Sequence, residues 1–225
     1  MIRLSLSFLF ICLAAASAEP IALFNGKDLS NWTIDIPEVG NASPDQTFFV
    51  KDGLMVTSGA PLGHITTKES YSNYTLRIEY RFPKEPGNSG CMIHASDERF
   101  LHGKFPRSIE VQMMSGSAGD LIPIGENIIG HNKVDTPDFV GARKNRGVRK
   151  MVAKAEKPPG EWNEMVIHCQ ADSIVVLVNG QLVNVGTSSS VTEGKIAFQS
   201  EGAAVEWRKI ELTPIPAQKK KAEKK

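Results

Sequence analysis

Polar and apolar residues alternate along Ser108-Ile109-Glu110-Val111-Gln112-Met113-Met114. This predicts a β-strand with Ile109, Val111 and Met113 on one face and Glu110 and Gln112 on the other. The two polar groups then sit roughly 7 Å apart, at about 3.4 Å per residue. From Tyr74 to Phe82 the alternation is equally clean, with Leu76, Ile78, Tyr80 and Phe82 set against Thr75, Arg77, Glu79 and Arg81. Similar short runs fall at 48–50, 54–57, 90–95, 165–170, 174–178, 181–185, 195–200 and 205–212. Lys51-Asp52-Gly53 predicts a tight turn between two of them, and Asn179-Gly180 predicts a type I′ hairpin. No stretch sustains a helical period. Roughly a dozen short strands with little helix predict an all-β chain, an antiparallel β-sandwich or jelly roll.

The pattern changes at both ends and once in the middle. Arg3 followed by an apolar run from Leu4 to Ala16 and the small-x-small sequence Ala16-Ser17-Ala18 reads as a signal peptide over residues 1–18. The expectation is an exported protein, periplasmic or secreted, with no integral membrane segment after processing. Residues 19–213 form the expected domain, long enough for a proper core. Residues 214–225 form a Lys-rich tail without apolar periodicity, expected to be solvated and disordered. Between Ser115 and Gly160 glycines are scattered through a loop-like segment carrying Arg143, Lys144, Arg146, Arg149 and Lys150. So long an irregular stretch inside a domain is often functional.

Charge and cysteine content narrow the function classes. The formal net charge of +1 gives no electrostatic argument for a nucleic-acid partner. Cys91 and Cys169 both fall in predicted strands, where either a disulfide or two buried free thiols is compatible with export. No CxxC or Cys/His metal spacing occurs.

A carboxylate and an amide in mid-strand are costly to bury and unnecessary for folding. They suit sugar hydroxyls, because together they supply donors and acceptors. If the 74–82, 90–95 and 108–114 strands pair as a meander, Arg77, Glu79, His94, Glu110 and Gln112 line one wall. Gln199 and Glu201 repeat the same two-residue spacing on a strand far away in sequence. Two such pairs on one curved sheet predict a carbohydrate groove. Asp120, just after the central strand, is a further candidate from the loop. His94, Glu79, Glu110 and Glu201 together form a chemically sensible ligand set for a divalent metal ion, with His94 and Glu110 as its first candidates. His64, His102, His131 and His168 lack partnered spacing.

Phe24-Asn25-Gly26-Lys27-Asp28-Leu29-Ser30-Asn31-Trp32 resembles the opening of the 3-keto-disaccharide hydrolase domain family. Asn88-Ser89-Gly90, Ile109-Glu110-Val111-Gln112, Gly160-Glu161-Trp162-Asn163, Val178-Asn179-Gly180, Gly194-Lys195-Ile196 with Phe198-Gln199, and Glu206-Trp207-Arg208-Lys209-Ile210 continue that resemblance in order. It implies a concanavalin/laminin-G-like jelly roll acting on oxidised sugars, with Asn88 among the substrate-binding residues. Two departures stand out: Ser200-Glu201-Gly202 replaces a His that many members carry after the late Gln, and His94 replaces an Arg found in several.

The lectin-like glycanases place carboxylates in a Glu-x-Asp-x-x-Glu run, whereas Glu110-Val111-Gln112-Met113-Met114-Ser115 keeps only the first acid. Retaining hydrolysis needs two carboxyl groups roughly 5 Å apart. A 3-keto sugar needs less, because its ketone acidifies the neighbouring C–H and a single general base can start an elimination. The resemblance, taken with these residues, implies cleavage of 3-keto-glycosides with Glu110 and His94 as catalytic residues. Gln112, Gln199, Glu201, Glu79, Arg77, Asn88 and Asp120 are expected to bind substrate. The competing expectation is a non-catalytic carbohydrate-binding module of the same fold.

Overall fold

The computed structural model describes residues 18–38, 44–130 and 147–216. Two antiparallel sheets pack face to face as a jelly roll, and apart from one 3₁₀ turn at Pro44–Gln46 the regular elements among the described residues are strands. The first sheet runs Ile129–Gly130, Gln181–Thr187, Ser173–Val178, Asn163–Gln170, Tyr74–Arg81, Val205–Pro214, Leu54–Thr57 and Phe48–Lys51, with Ile21–Ala22 also paired to Val205–Pro214. The second runs Leu121–Ile124, Ser108–Gln112, Gly90–Ala95, Glu193–Ser200, Gly63–Thr67 and Trp32–Asp35, with Tyr71–Ser72 paired to one end of Glu193–Ser200.

Between the sheets lies one core. Leu76, Ile78, Met165, Ile167, Val176 and Trp207 from the first sheet meet Cys91, Ile93, Ile109, Val111, Ile196 and Phe198 from the second. Both predicted turns form. Asp52 and Gly53 have φ of 53° and 76°, and Asn179 and Gly180 have φ of 49° and 78°, the left-handed pair that a type I′ turn requires.

The two sheets differ in what covers their outer faces. Tyr74–Arg81 and Asn163–Gln170 alternate buried and more exposed positions, as a half-solvated sheet does. Gly63–Thr67, Gly90–Ala95 and Ser108–Gln112 are buried at every position. The second sheet is thus covered on both faces, and the polar side chains on its outer face are held out of solvent.

The expected meander does not form. Tyr74–Arg81 pairs with Asn163–Gln170 and Val205–Pro214, while Gly90–Ala95 pairs with Ser108–Gln112 and Glu193–Ser200. The Phe82–Ser89 connection, with Pro83 and Pro86, carries the chain from one sheet to the other, since proline cannot supply the N–H a ladder needs. Cys91 and Cys169 are both buried free thiols, which resolves that alternative. The expected signal peptide except Ala18, the expected tail from Ala217 onward, and His131, Arg143, Lys144 and Arg146 lie outside the described residues.

Candidate functional site

Residues in register across a sheet project to the same face. On the outer face of the second sheet one such row is Ile122, Glu110, Met92, Ala197, Thr66 and Thr33. The next row is Gln112, Gly90, Gln199, His64 and Asp35; the pairing of Phe198 with Cys91 sets Gln199 beside Gly90. Glu110 and Gln199, from strands almost ninety residues apart in sequence, therefore flank one glycine.

That glycine makes room for both. A Cβ on Gly90 would lie 2.2 Å from Glu110 Oε1 and 2.6 Å from Gln199 Oε1. The two oxygens converge over bare backbone, and neither has a hydrogen-bond partner although both are buried. Asn88 Oδ1, two residues before Gly90, is a third buried acceptor without a partner. Unpartnered buried acceptors are uncommon in folded proteins and call for an explanation. Here they share one neighbourhood, a cluster of acceptors waiting for donors.

The electrostatics agree. Glu110 is 2% exposed. Burial, reinforced by the Glu201 carboxylate and opposed by a hydrogen bond from the Gln199 side chain, pushes its carboxyl up to about 8. Burial also raises Glu201, opposed by a hydrogen bond from the Asn88 side chain. Ser89 fixes the base of the cluster by donating from Oγ to the Gln199 carbonyl at 2.9 Å. The result is a pair of neighbouring carboxyl groups, each beside an amide. Two carboxyls and two amide oxygens are also hard-oxygen donors of the kind a divalent cation accepts.

Several expected members sit elsewhere. Arg77 and Glu79 lie on the outer face of the first sheet, on the far side of the core from Glu110. There Arg77 pairs with Glu164 and Glu79 with Arg208. The strand that carries them belongs to the other sheet, so their alternation was sound and their partners were not.

His94 is on the right strand but turned inward. Lys195 pairs with Ala95 while Ala197 pairs with Met92, so a β-bulge inserts one extra residue here. His94 takes φ of 53°, and its ring packs edge-on against the core residue Tyr74 at 5.7 Å. Gly194 allows the close passage, since a Cβ there would lie 2.4 Å from the His94 carbonyl carbon. Burial pushes the imidazole down to about 4, opposed by the nearby Val191 backbone, and neither ring nitrogen has a partner at full hydrogen-bond geometry.

Gln112 shares the outer face, but its Oε1 accepts from the N–H groups of Met113 and Met114 at 2.9 and 2.8 Å. It closes the end of its own strand. Asp120 accepts from the Lys150 N–H at 2.7 Å and clips down the 148–150 segment. With His94 and Glu79 removed, the expected four-ligand metal set is not assembled. Among the described residues no group of three His, Cys, Asp or Glu side chains is placed to hold a metal ion.

Two neighbours were missed. His64 is 5% exposed in the row of Gln199, its Nδ1 2.9 Å from the Lys104 carbonyl, with Asp35 beyond it. His64 and Thr66 alternate with Ile65, and that polar–apolar spacing was the available signal. Trp32 and Trp207 are core residues, whereas Trp162 is held between the Arg81 and Arg208 guanidinium groups, each 4.5 Å from its ring.

A family model described as the 3-keto-alpha-glucoside-1,2-lyase-like domain matches residues 19–213. The chain belongs to this family. A proposed glycosyl hydrolase from Parabacteroides distasonis has a similar structure, with a TM-score of 0.62 at 20% identity over 88% of this chain and 94% of that one. A lichenase, a beta-1,3-1,4-glucanase derived from a mouse hindgut metagenome, gives 0.54 at 14% identity over 88% of this chain and 100% of that one. A carbohydrate-binding module from Bacillus subtilis also gives 0.54, at 11% identity over 81% and 94%. No curated protein sequence matches the chain. The family match carries the relationship, and the likeness to these solved structures is one of fold.

Proposed function

We propose that this member of the family cleaves the glycosidic bond of 3-keto-glycosides, with Glu110 as the general base. The observation that carries the proposal is the Glu110 carboxyl itself: buried, raised to about 8, and presenting an unpartnered oxygen beside those of Gln199 and Asn88. A base in that range is matched to removing a carbon-bound proton near neutral pH. The carboxylate takes the proton from C2, next to the ketone. The C2–H electron pair becomes the C1=C2 double bond, and the C1–O bond breaks with its electrons leaving on the departing oxygen.

Glu201, itself raised and felt electrostatically by Glu110, returns a proton to that oxygen. Water adding at C1 afterwards completes net hydrolysis; release before addition gives the unsaturated sugar. Substrate hydroxyls satisfy Gln199 and Asn88, which accounts for acceptors left bare in the free protein. A divalent cation held by these oxygens would supply polarisation of the ketone.

Purified protein is incubated with a 3-keto-glucoside and with the parent glucoside, with and without chelator, and products are identified by mass. Release of keto-sugar or its unsaturated form from the oxidised substrate alone is expected. Sugar binding without any product would instead favour a carbohydrate-binding module, a reading supported by the likeness to such a module in fold. The same site then recognises sugar and does no chemistry. The N-terminal segment supports export, and sequencing of mature protein from its native host should begin at Glu19.

A further inference from the structure

The connection between the Gly90–Ala95 and Ser108–Gln112 strands is far longer than adjacent antiparallel strands need. It forms its own small hairpin, Arg99–Leu101 against Phe105–Pro106, and reaches toward the opposite edge of the second sheet. Arg99 grips the Asp35 carboxylate with two nitrogens, Nε to Oδ2 at 2.8 Å. Lys104 pairs with Glu38, and its carbonyl meets His64 Nδ1 at 2.9 Å. Asp35 belongs to the edge strand, so the strap crosses the strands Glu193–Ser200 and Gly63–Thr67 on its way. At its other end Lys195 pairs with Asp97, and Arg107 donates to the Gly125 carbonyl at 3.0 Å.

Beneath the strap Leu101 and Phe105 join Met92, Ala95, Ile124 and Ala197 in an apolar cluster separate from the main core. Met92 and Ala197 stand in the Glu110 row, one and two strands away. The roof thus begins at the positions next to the candidate base. A glycan laid across the sheet through Glu110 would have to lift Phe105, which is 1% exposed, off that cluster and give up apolar burial and two ion-paired latches.

We propose that the strap is a stop: it ends the ligand path at Glu110, so the site accepts a small glycoside or the terminal unit of a chain and rejects internal units. The inference rests on the carbohydrate function proposed above and deepens it. Specificity by an end-stop differs from specificity by contacts, because it acts through exclusion of longer ligands.

Two measurements separate the inference from the activity it rests on. Calorimetry with gluco-oligosaccharides of one to six units is expected to show an affinity that levels off by two units, staying within about threefold thereafter. In Arg99→Ala/Lys104→Ala, and in a variant with residues 98–106 replaced by a short Gly-Ser link, affinity should climb at least about tenfold with length. The double variant keeps the apolar cluster, so the test survives if the shortened strap does not fold. A wild-type affinity that keeps rising with length overturns the stop, as does an unchanged length profile in the folded variants.

Turnover then compares a small 3-keto-glucoside with an oligosaccharide oxidised on an internal unit. Preference for the small substrate by at least about 100-fold is expected. Equal turnover keeps the activity and overturns the stop. No turnover of either, with affinity that levels off and is released in the variants, removes the activity and retains the stop. Failure to bind any sugar, together with no turnover of either oxidised substrate, overturns both.

Discussion

Glu110 is the residue on which the chemistry turns, and its burial gives it a measurable signature. Glu110→Gln keeps the shape and removes the base, so turnover of a 3-keto-glucoside should fall at least about 100-fold. The same substitution should alter stability with the opposite sign. A carboxyl raised from its ordinary 4.5 to about 8 stabilises the fold fully below pH 4.5, and that contribution is lost as pH rises through 8. The glutamine does not titrate. Glu110→Gln should therefore melt above wild type at pH 9, with the difference shrinking toward pH 5 in a thermal scan.

Gly90 is a second decisive position. Gly90→Ala places a methyl against the two converging oxygens, so it should cost activity while Glu110 remains present. His94 makes the contrasting prediction. Its ring lies in the core with both nitrogens unpartnered, so His94→Phe should fold and change kcat/KM less than about threefold. A large loss in that variant would put His94 back among the catalytic groups.

At the scale of elements, the strands of the first sheet were legible because one of their faces meets solvent. Period-two alternation from Tyr74 onward then marks which side chains enter the core, and it is borne out to the residue. The same alternation located Glu110, Gln112 and Gln199 on one face of their strands. What it could not reveal is which strands are neighbours, because alternation is a property of a single strand and pairing is a property of the chain path. Arg77 and Glu79 were therefore placed beside Glu110 when a sheet-to-sheet crossing intervenes.

The bulge at His94 escaped for a related reason. One residue in the left-handed region reverses a side chain, and a histidine between Ile93 and Ala95 carries no signal of it. Arg77→Ala and Glu79→Ala test the corrected placement. Each removes a partly exposed ion pair, so stability should change by less than about 1 kcal/mol and KM for any sugar should stay at its wild-type value.

Across the whole molecule, two buried groups set opposite limits on stability. His94, lowered to about 4, contributes stability that is present above its unfolded value of 6.5 and is lost as pH falls through 4. Glu110 limits the alkaline side from 4.5 to 8. The two windows overlap between pH 4.5 and 6.5, where the opposing slopes cancel, so the thermal midpoint should be level there and decline on both sides. Scanning calorimetry across pH 4 to 9 checks this, and Glu110→Gln should flatten the alkaline decline alone. Cys91 and Cys169 add a further whole-molecule expectation: with both thiols free and buried, a reductant should leave the melting temperature unchanged.

The sequence alone determined the all-β class, both tight turns, the family, and the faces from which Glu110 and Gln199 project. Each of these follows from local patterning or from motifs carried in order along the chain. The tertiary structure decided that Glu110 and Gln199 meet over Gly90, that His94 turns inward, that Arg77 and Glu79 belong to the opposite side, and that a strap roofs the outer face. These depend on strand order, register and one bulge, which arise when the two sheets close around a shared core. Glu110 shows the division most clearly. Its alternation marked it as polar in mid-strand, but only its burial on the folded outer face, beside Glu201, raised that carboxyl to about 8.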